Sequence, residues 1–380
     1  LFDKEAPLLL RPKMDPHQWS WLLKFLGQCN DTAFERNVQQ IVALGAYSHA
    51  ALKEVISKTN FEFERLERGI AHFYTDQKSY EAAGEAVEVM RRYGVQRRVV
   101  SKEELFKIEP AFKAYGDHIT GGTFTNTDES GDARVFTQKL AKLCEERGAQ
   151  FLYNHDVVHL NRVSDAIESV SVRARTAAEG GPSAFTLKGD AIVVACGSYS
   201  APLLRTVGIN VPIYPGKGYS ATFKILKPNE APFVSTIDDG KKVAISRLGD
   251  QLRVAGTIEL GGFDHDLDSP VARARCHMLS RRIETILPGV CDTRTPEEGG
   301  DPQYWTGLRP ATPTNIPLIG RTKLKGLWVN SGHGTLGWTH GAGSGKAMAE
   351  LLCGERPAMA FNFMGYETNS PSIRPVPHAA

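Results

Sequence analysis

Gly307 to Leu352 reads GLRPATPTNIPLIGRTKLKGLWVNSGHGTLGWTHGAGSGKAMAELL, and its texture decides the fold class. Arg309 stands in what reads as a Gly-Leu-Arg-Pro turn. A short apolar strand, Leu327 to Val329, feeds a cluster of glycines, and a small-residue helix begins near Thr339. A strand running through glycines into a helix start gathers free backbone N–H groups at the positive end of the helix dipole, which suits a phosphate or a flavin ring. A cation so close in sequence points to a second, anionic molecule bound beside the first.

The same α/β texture appears earlier. Ala133 to Arg147 is an amphipathic helix stopped by Gly148, and extended segments follow at Gln150 to Tyr153 and Val157 to Leu160. Residues 176 to 183 read as a hairpin or loop. Asp190 to Ala195 is a β-branched strand ending in Cys196-Gly197-Ser198. Between the two α/β regions the pattern changes to short alternating strands at Tyr219–Ile225, Lys242–Ser246 and Gln251–Thr257, as in an antiparallel sheet. Helix Pro270–Ile286 comes next. Nearer the start, Phe34–Lys58 and Lys78–Tyr93 are helical, and Ser101 caps the short helix SKEELFKI with Glu104 at the capping-box position. Gly121 to Asp132 reads as a loop in which Glu129 and Asp132 form the turn and cap the next helix. Trp19, Leu22, Leu23 and Leu26 share one face of a further helix, while Trp21 and Phe25 make its other side apolar, so it is either well buried or in contact with lipid.

The expected fold class is therefore α/β (α+β overall). An incomplete Rossmann-type domain, residues 132–209 and 305–356, is interleaved with a mostly antiparallel domain carrying helices, residues 1–131 and 210–304, and 357–380 form a tail.

Composition narrows the function. The 380 residues carry 45 basic and 43 acidic side chains, a formal net charge of +2, with no basic tract, so nucleic acid is not an expected partner. The six cysteines are scattered without a CxxC pair, as in a reduced intracellular protein. His155 and His159 lie four apart on strand-like residues and would not converge on a metal. Gly341, Gly343, Gly345 and Lys346 resemble a nucleotide P-loop only superficially. His340 stands where that motif needs glycine, and Ala347 where it needs Ser or Thr. No apolar stretch approaches the ~20 residues that span a bilayer.

GHGTLGWT, residues 332 to 339, resembles the flavin-binding segment of the D-amino-acid oxidase (DAO) family of FAD enzymes. GGTFTNTDESGD followed by FTQ, then GSYS, YPGKGYS, WTGLRPATP with IPLIGRT, and LWVNSGHGTLGWT extend the resemblance from about Leu1 to Leu352, closest to a branch acting on D-amino acids. It implies FAD as cofactor, with Gly332, His333, Gly334, Thr335, Leu336, Gly337, Trp338 and Thr339 along the flavin pyrimidine. It places Ala195, Cys196 and Gly197 beside the cofactor and the backbone of Val157 against adenine. Arg309 would bind the substrate carboxylate through its planar fork of donors. Tyr219 is a second candidate, for a hydroxyl contact to substrate. Lys217 would pair with an acidic neighbour, and His333 would bond to the ring or fix the turn.

The chemistry implied is oxidative deamination of D-amino acids to 2-keto acids and ammonia by hydride transfer to flavin, with electrons passed to a quinone-type acceptor. A sarcosine, glycine or proline oxidase or dehydrogenase of the same family is the alternative. The resemblance also implies a strand–GxGxxG–helix unit gripping the ADP half of FAD. The chain opens at Leu1 without it, so the expectation is that this unit has been lost upstream, which would leave an inactive fragment without bound FAD as a further reading. A cytoplasmic location is expected, with the Trp19–Leu26 helix as a candidate for peripheral contact with the cytoplasmic face of the inner membrane.

Overall fold

The computed structural model describes residues 6–175 and 184–366, so the hairpin or loop expected at 176–183 lies outside the described residues. In chain order the first elements are β1 (Leu8–Leu10), α1 (Pro16–Leu26), α2 (Asp31–Thr59), β2 (Ile70–Tyr74), α3 (Gln77–Arg92), β3 (Arg97–Ser101), α4 (Lys102–Ile108) and β4 (Gly121–Thr125). Next come α5 (Ala133–Glu146), β5 (His155–Val163), β6 (Ala166–Ala174), β7 (Ala184–Lys188), β8 (Ile192–Val194) and α6 (Ser200–Arg205). The remainder is β9 (Tyr214–Lys224), β10 (Ser235–Asp238), β11 (Val243–Leu248), β12 (Gln251–Leu260), α7 (Pro270–Ile286), β13 (Gln303–Ala311), β14 (Leu318–Arg321), β15 (Leu327–Ser331) and α8 (Gly337–Leu352).

Three sheets form among the described residues. The largest runs β13-β9-β12-β11-β10-β2-β4-β3, with β1 added in parallel on β12. Its inner face packs against α7, whose Ala272, Cys276, Leu279, Ile283 and Ile286 form one buried stripe at helical spacing. Ser269 caps that helix by accepting the Ala272 N–H at 3.3 Å, and Pro270 occupies its first turn, where a missing N–H costs nothing. Phe73, Tyr219, Val254 and Ile283 belong to this core, where a fully buried aliphatic or aromatic side chain contributes about 1.5–3 kcal/mol. The second sheet, β14-β15-β8, pairs β8 and β15 in parallel; the third, β5-β6-β7, is antiparallel. α8 packs on α2 so closely that a Cβ on Gly343 would lie 2.6 Å from Ser48 Cα, and the Gly343 N–H donates to Ser48 Oγ at 3.0 Å.

Several expectations change. The Gly-Leu-Arg-Pro segment is no turn but part of β13, paired residue by residue with β9. The domain boundary expected at 305 therefore cuts through a strand of the large sheet. Gly121–Asp132 contains β4, because its two glycines let Tyr80 and the His72 carbonyl approach the strand more closely than any side chain would allow. Gln150–Tyr153 forms no strand, and Phe151, Leu152 and Tyr153 are exposed. Asp132 does cap α5, accepting from the N–H groups of Arg134 and Val135, whereas Glu129 pairs with Arg65.

In α1 the buried face is not the one that spacing suggested. Trp21 is buried, stacks on Phe25 at 5.3 Å and donates its indole N–H to the Ala311 carbonyl at 2.8 Å. Gln18 is sealed beside it and bonds Arg11 and Leu260 carbonyls, while Trp19, Leu23 and Leu26 are exposed. The polar reach of Gln18 and of the Trp21 indole overrode the simple count of apolar positions. Among the described residues no helix is long and apolar enough to cross a membrane.

Candidate active site at the ends of β8 and β15

Parallel strands β8 and β15 run side by side and both end in glycine-bearing turns. Ser331, closing β15, donates its hydroxyl to the Gly197 carbonyl after β8 at 3.0 Å, and Ser200 donates to Ser331 at 3.0 Å. The two turns are thus held together. Gly332 and Gly334 adopt φ of 86° and 52°, a left-handed path that a residue with a Cβ adopts at a cost. Gly332, Gly334 and Gly337 have the spacing of a dinucleotide-binding turn, and they do close a strand and open a helix. Among the described residues, however, no strand after α8 returns beside β15.

α8 carries no side-chain cap at its start, and a Cβ added at Gly341 or Gly345 would meet nothing within 4 Å. An uncapped helix start with open glycine flanks, outside the carboxyl ends of two parallel strands, fits a flavin held by backbone N–H groups. Ala195, Cys196 and Gly197 occupy the neighbouring turn, with Cys196 exposed. Thr335 and Thr339 are exposed and Leu336 half-buried along the second turn.

His333 and Trp338 are turned toward the protein. The His333 Nε2 bonds Ser344 Oγ at 2.8 Å, fixing the turn, and burial near His340 pushes its pKa down to about 4, so it is neutral at pH 7. Trp338 stands edge-on to Phe136 (5.4 Å) and Phe63 (6.0 Å). It also lines a cavity of about 740 Å³ with Ala51, Val55, Leu140 and Gly341. Val157 is exposed on β5, which packs against α6 beyond the first turn.

β13 passes both turns, and Ser198 Oγ donates to the Leu308 carbonyl at 3.0 Å. Arg309 projects from this strand over β9. A Cβ on Gly218 would lie 2.0 Å from Arg309 Nη1, and one on Gly216 would lie 3.7 Å from the Arg309 carbonyl and 3.2 Å from Ile258. The alternate glycines of YPGKGYS therefore clear a bed for the guanidinium. Arg309 Nη1 donates to the Thr257 carbonyl at 2.7 Å. No carboxylate pairs with it among the described residues, and none of its remaining donors is a sealed, unpaired atom. Burial pulls its pKa down to about 10, still charged at pH 7. A half-buried cation with open donors and no counter-ion suits a carboxylate ligand.

Tyr219 does not join it. Side chains alternate across a strand, so Lys217 and Tyr219 face the core on the opposite side of β9 from Gly216 and Gly218. The Tyr219 hydroxyl donates to buried Glu259 at 2.6 Å, and Lys217 bonds the Asp266 carbonyl and lies 3.5 Å from Asp264. The phenol is spent on the core and faces away from Arg309.

Two features escaped the sequence reading. Thr257 sits in a bulge where β12 carries Thr257 and Ile258 opposite Gly218 alone, and its φ is 58°. Such a bend ordinarily calls for glycine, and a β-branched residue there costs on the order of 1–3 kcal/mol. Arg253 shares the Arg309 face, donating to Ser220 Oγ at 3.0 Å with its guanidinium 5.7 Å from the centre of the Trp305 ring. No motif marks either residue; they come together only through strand pairing.

The family model described as FAD dependent oxidoreductase (DAO) matches residues 11–351. The chain belongs to this FAD-dependent oxidoreductase family. A "D-amino acid dehydrogenase" of Dechloromonas aromatica (strain RCB) is 42% identical over 361 residues, covering 95% of this DAO-family chain and 83% of the relative. A Methylobacterium radiotolerans protein of the same name is 38% identical over 363 residues, covering 95% and 81%. Among solved structures, glycine oxidase from Geobacillus kaustophilus superposes with a TM-score of 0.69 at 21% identity, covering 84% of this chain and 81% of its own. L-proline dehydrogenase from P. horikoshii gives 0.70 at 16% identity, covering 93% and 94%. The DAO fold is thus shared.

Proposed function

We propose that this DAO-family protein oxidises D-amino acids to 2-keto acids and ammonia. The observation that carries the reading is Arg309, a half-buried guanidinium without a counter-ion among the described residues, set beside two glycine turns that suit a flavin. Relatives over a third identical along 95% of the chain are named D-amino acid dehydrogenases, which supports the D configuration. Arg309 holds the substrate carboxylate bidentately, and the Thr257 carbonyl holds Arg309. With one end fixed, the Cα–H can be presented to the glycine turns. That bond breaks with both electrons, the amine lone pair closes the C=N bond, and water releases ammonia and the keto acid. Bound FAD supplies the two-electron acceptor. Orientation of this kind is worth up to ~7–11 kcal/mol, shared among all positioning contacts.

The test is a panel of D-amino acids, sarcosine, glycine and proline, assayed on FAD-loaded protein with an artificial dye or with oxygen. D-Amino acids with dye are expected to give turnover; activity confined to sarcosine, glycine or proline rejects the reading. The dye arm bears on the acceptor, which we read as quinone-type, and oxygen serving as well as the dye rejects that part. The exposed Trp19, Leu23 and Leu26 support contact with a bilayer surface. Equal co-sedimentation of wild type and a W19A/L23A/L26A variant with anionic vesicles would remove it.

A further inference from the structure

Arg253 has no part in the reading above, yet it shares the decisive property of Arg309. Its pairing with Thr222 puts it on the β9 face that carries Gly216, Gly218 and Ser220. No carboxylate pairs with it among the described residues, its one protein acceptor there is Ser220 Oγ, and none of its donors is sealed and unpaired. The Arg309 guanidinium lies over Gly218, and Arg253 reaches Ser220, the next residue of that strand on the same face. Two residues of strand span about 7 Å, so the two guanidinium groups rest on same-face positions of β9 that are about 7 Å apart. Trp305, exposed and folded over Gly307, lies alongside, opposite Ser220 and beside Arg253. Asp132 acts on Arg253 electrostatically but is occupied in capping α5.

We propose that Arg253 is a specificity-determining residue that receives a side-chain carboxylate, so that the site takes acidic D-amino acids, D-aspartate and D-glutamate, as favoured substrates. The proposal rests on Arg309 holding the α-carboxylate. With carbon–carbon bonds of about 1.5 Å, the two carboxylates of a four- or five-carbon diacid sit roughly 4–5 Å apart. That span is of the same order as the step of about 7 Å between the two β9 positions on which the guanidinium groups rest. Like-charged guanidinium groups at that distance repel in a half-buried setting, and a dianion offsets both. A substrate with an apolar side chain leaves Arg253 uncompensated.

The experiment has a binding arm and a kinetic arm. By calorimetry, glutarate is expected to bind the FAD-loaded wild type at least tenfold more tightly than butyrate. Arg253→Gln is expected to abolish that preference and Arg253→Lys to restore part of it. In turnover, the kcat/KM ratio of D-glutamate or D-aspartate to D-alanine is expected to fall about 10- to 100-fold in Arg253→Gln, the range for a hydrogen-bonded charge. Its change should lie mainly in KM. Equal binding of glutarate and butyrate by wild type overturns the proposal without any variant. A ratio unmoved in a folded Arg253→Gln protein also overturns it, while D-alanine turnover leaves the underlying reading standing. Loss of diacid preference in Arg309→Ala with no turnover of any D-amino acid by wild type would instead overturn the reading on which the proposal rests.

Discussion

The two faces of β9 carry cations in opposite states. On the inner face Lys217 bonds the Asp266 carbonyl beside Asp264, and Tyr219 donates to Glu259, which also receives Arg11 at 2.9 Å. On the outer face Arg309 and Arg253 have only a carbonyl and a hydroxyl as acceptors among the described residues. The inner group is fully buried and the outer arginines, which reach over β9 from β12 and β13, are half-buried; only the inner group is given its counter-charge by the protein. A charge compensated internally reads as structure, and one left uncompensated reads as a place for a ligand.

The strongest way to break this contrast is Arg309→Ala. It should lower kcat/KM for D-amino acids on the order of a thousandfold, as expected for removing one side of a buried charge pair, with the flavin spectrum retained. Near-normal kinetics would mean that the open face binds no carboxylate. A buried base with no charged partner among the described residues offers a third state, since His340 is sealed between α2 and α8 beside the Ile41 backbone and its pKa is pushed down by burial to about 4. A depressed histidine contributes stability that is complete above pH ~6.5 and lost as pH falls toward 4, about 3 kcal/mol in all. Urea unfolding of His340→Gln should therefore show a shallower loss across that window; parallel wild-type and variant curves would contradict it.

On the inner face, Glu259→Gln should cost about 2 kcal/mol of unfolding free energy, below the usual value for a buried pair because Arg11 is partly exposed. Tyr219→Phe is the smallest change. It should cost about 1–2 kcal/mol, with KM moving less than threefold. A tenfold rise in KM without unfolding would place Tyr219 back at the substrate and erase the division between the faces.

Much of the molecule could be read from its residues. Pro270–Ile286 matches its helix to the residue, and the long helix, the antiparallel strands and the strand–glycine–helix turn fall where spacing placed them. Those signals are local. Arg309 was singled out by its motif, and the structure adds that its guanidinium lies over Gly218 with the Thr257 carbonyl as acceptor. Tyr219 misled because a motif does not say which side of a strand a residue faces, and in YPGKGYS the glycines, not the tyrosine, border the site. Arg253 and Thr257 were silent, since a single arginine in an alternating strand looks like a solvated side chain until its neighbours are known. In α1 the apolar count pointed to one face and hydrogen bonding by Gln18 and Trp21 chose another.

The extra residue in β12 also sets a parity. Arg253 and Ala255 point outward with Thr222 and Ser220, yet Glu259, an even number of positions further on, pairs with Lys217 and points inward. Without the bulge at Thr257, strict alternation would turn Glu259 onto the outer face, and its carboxylate would stand next to Arg309. The chain would then carry its own competitor for the substrate's place. By absorbing one residue, the bulge thus does more than strain the backbone, because it keeps the anion receptor open where an unbulged strand of the same length would neutralise it.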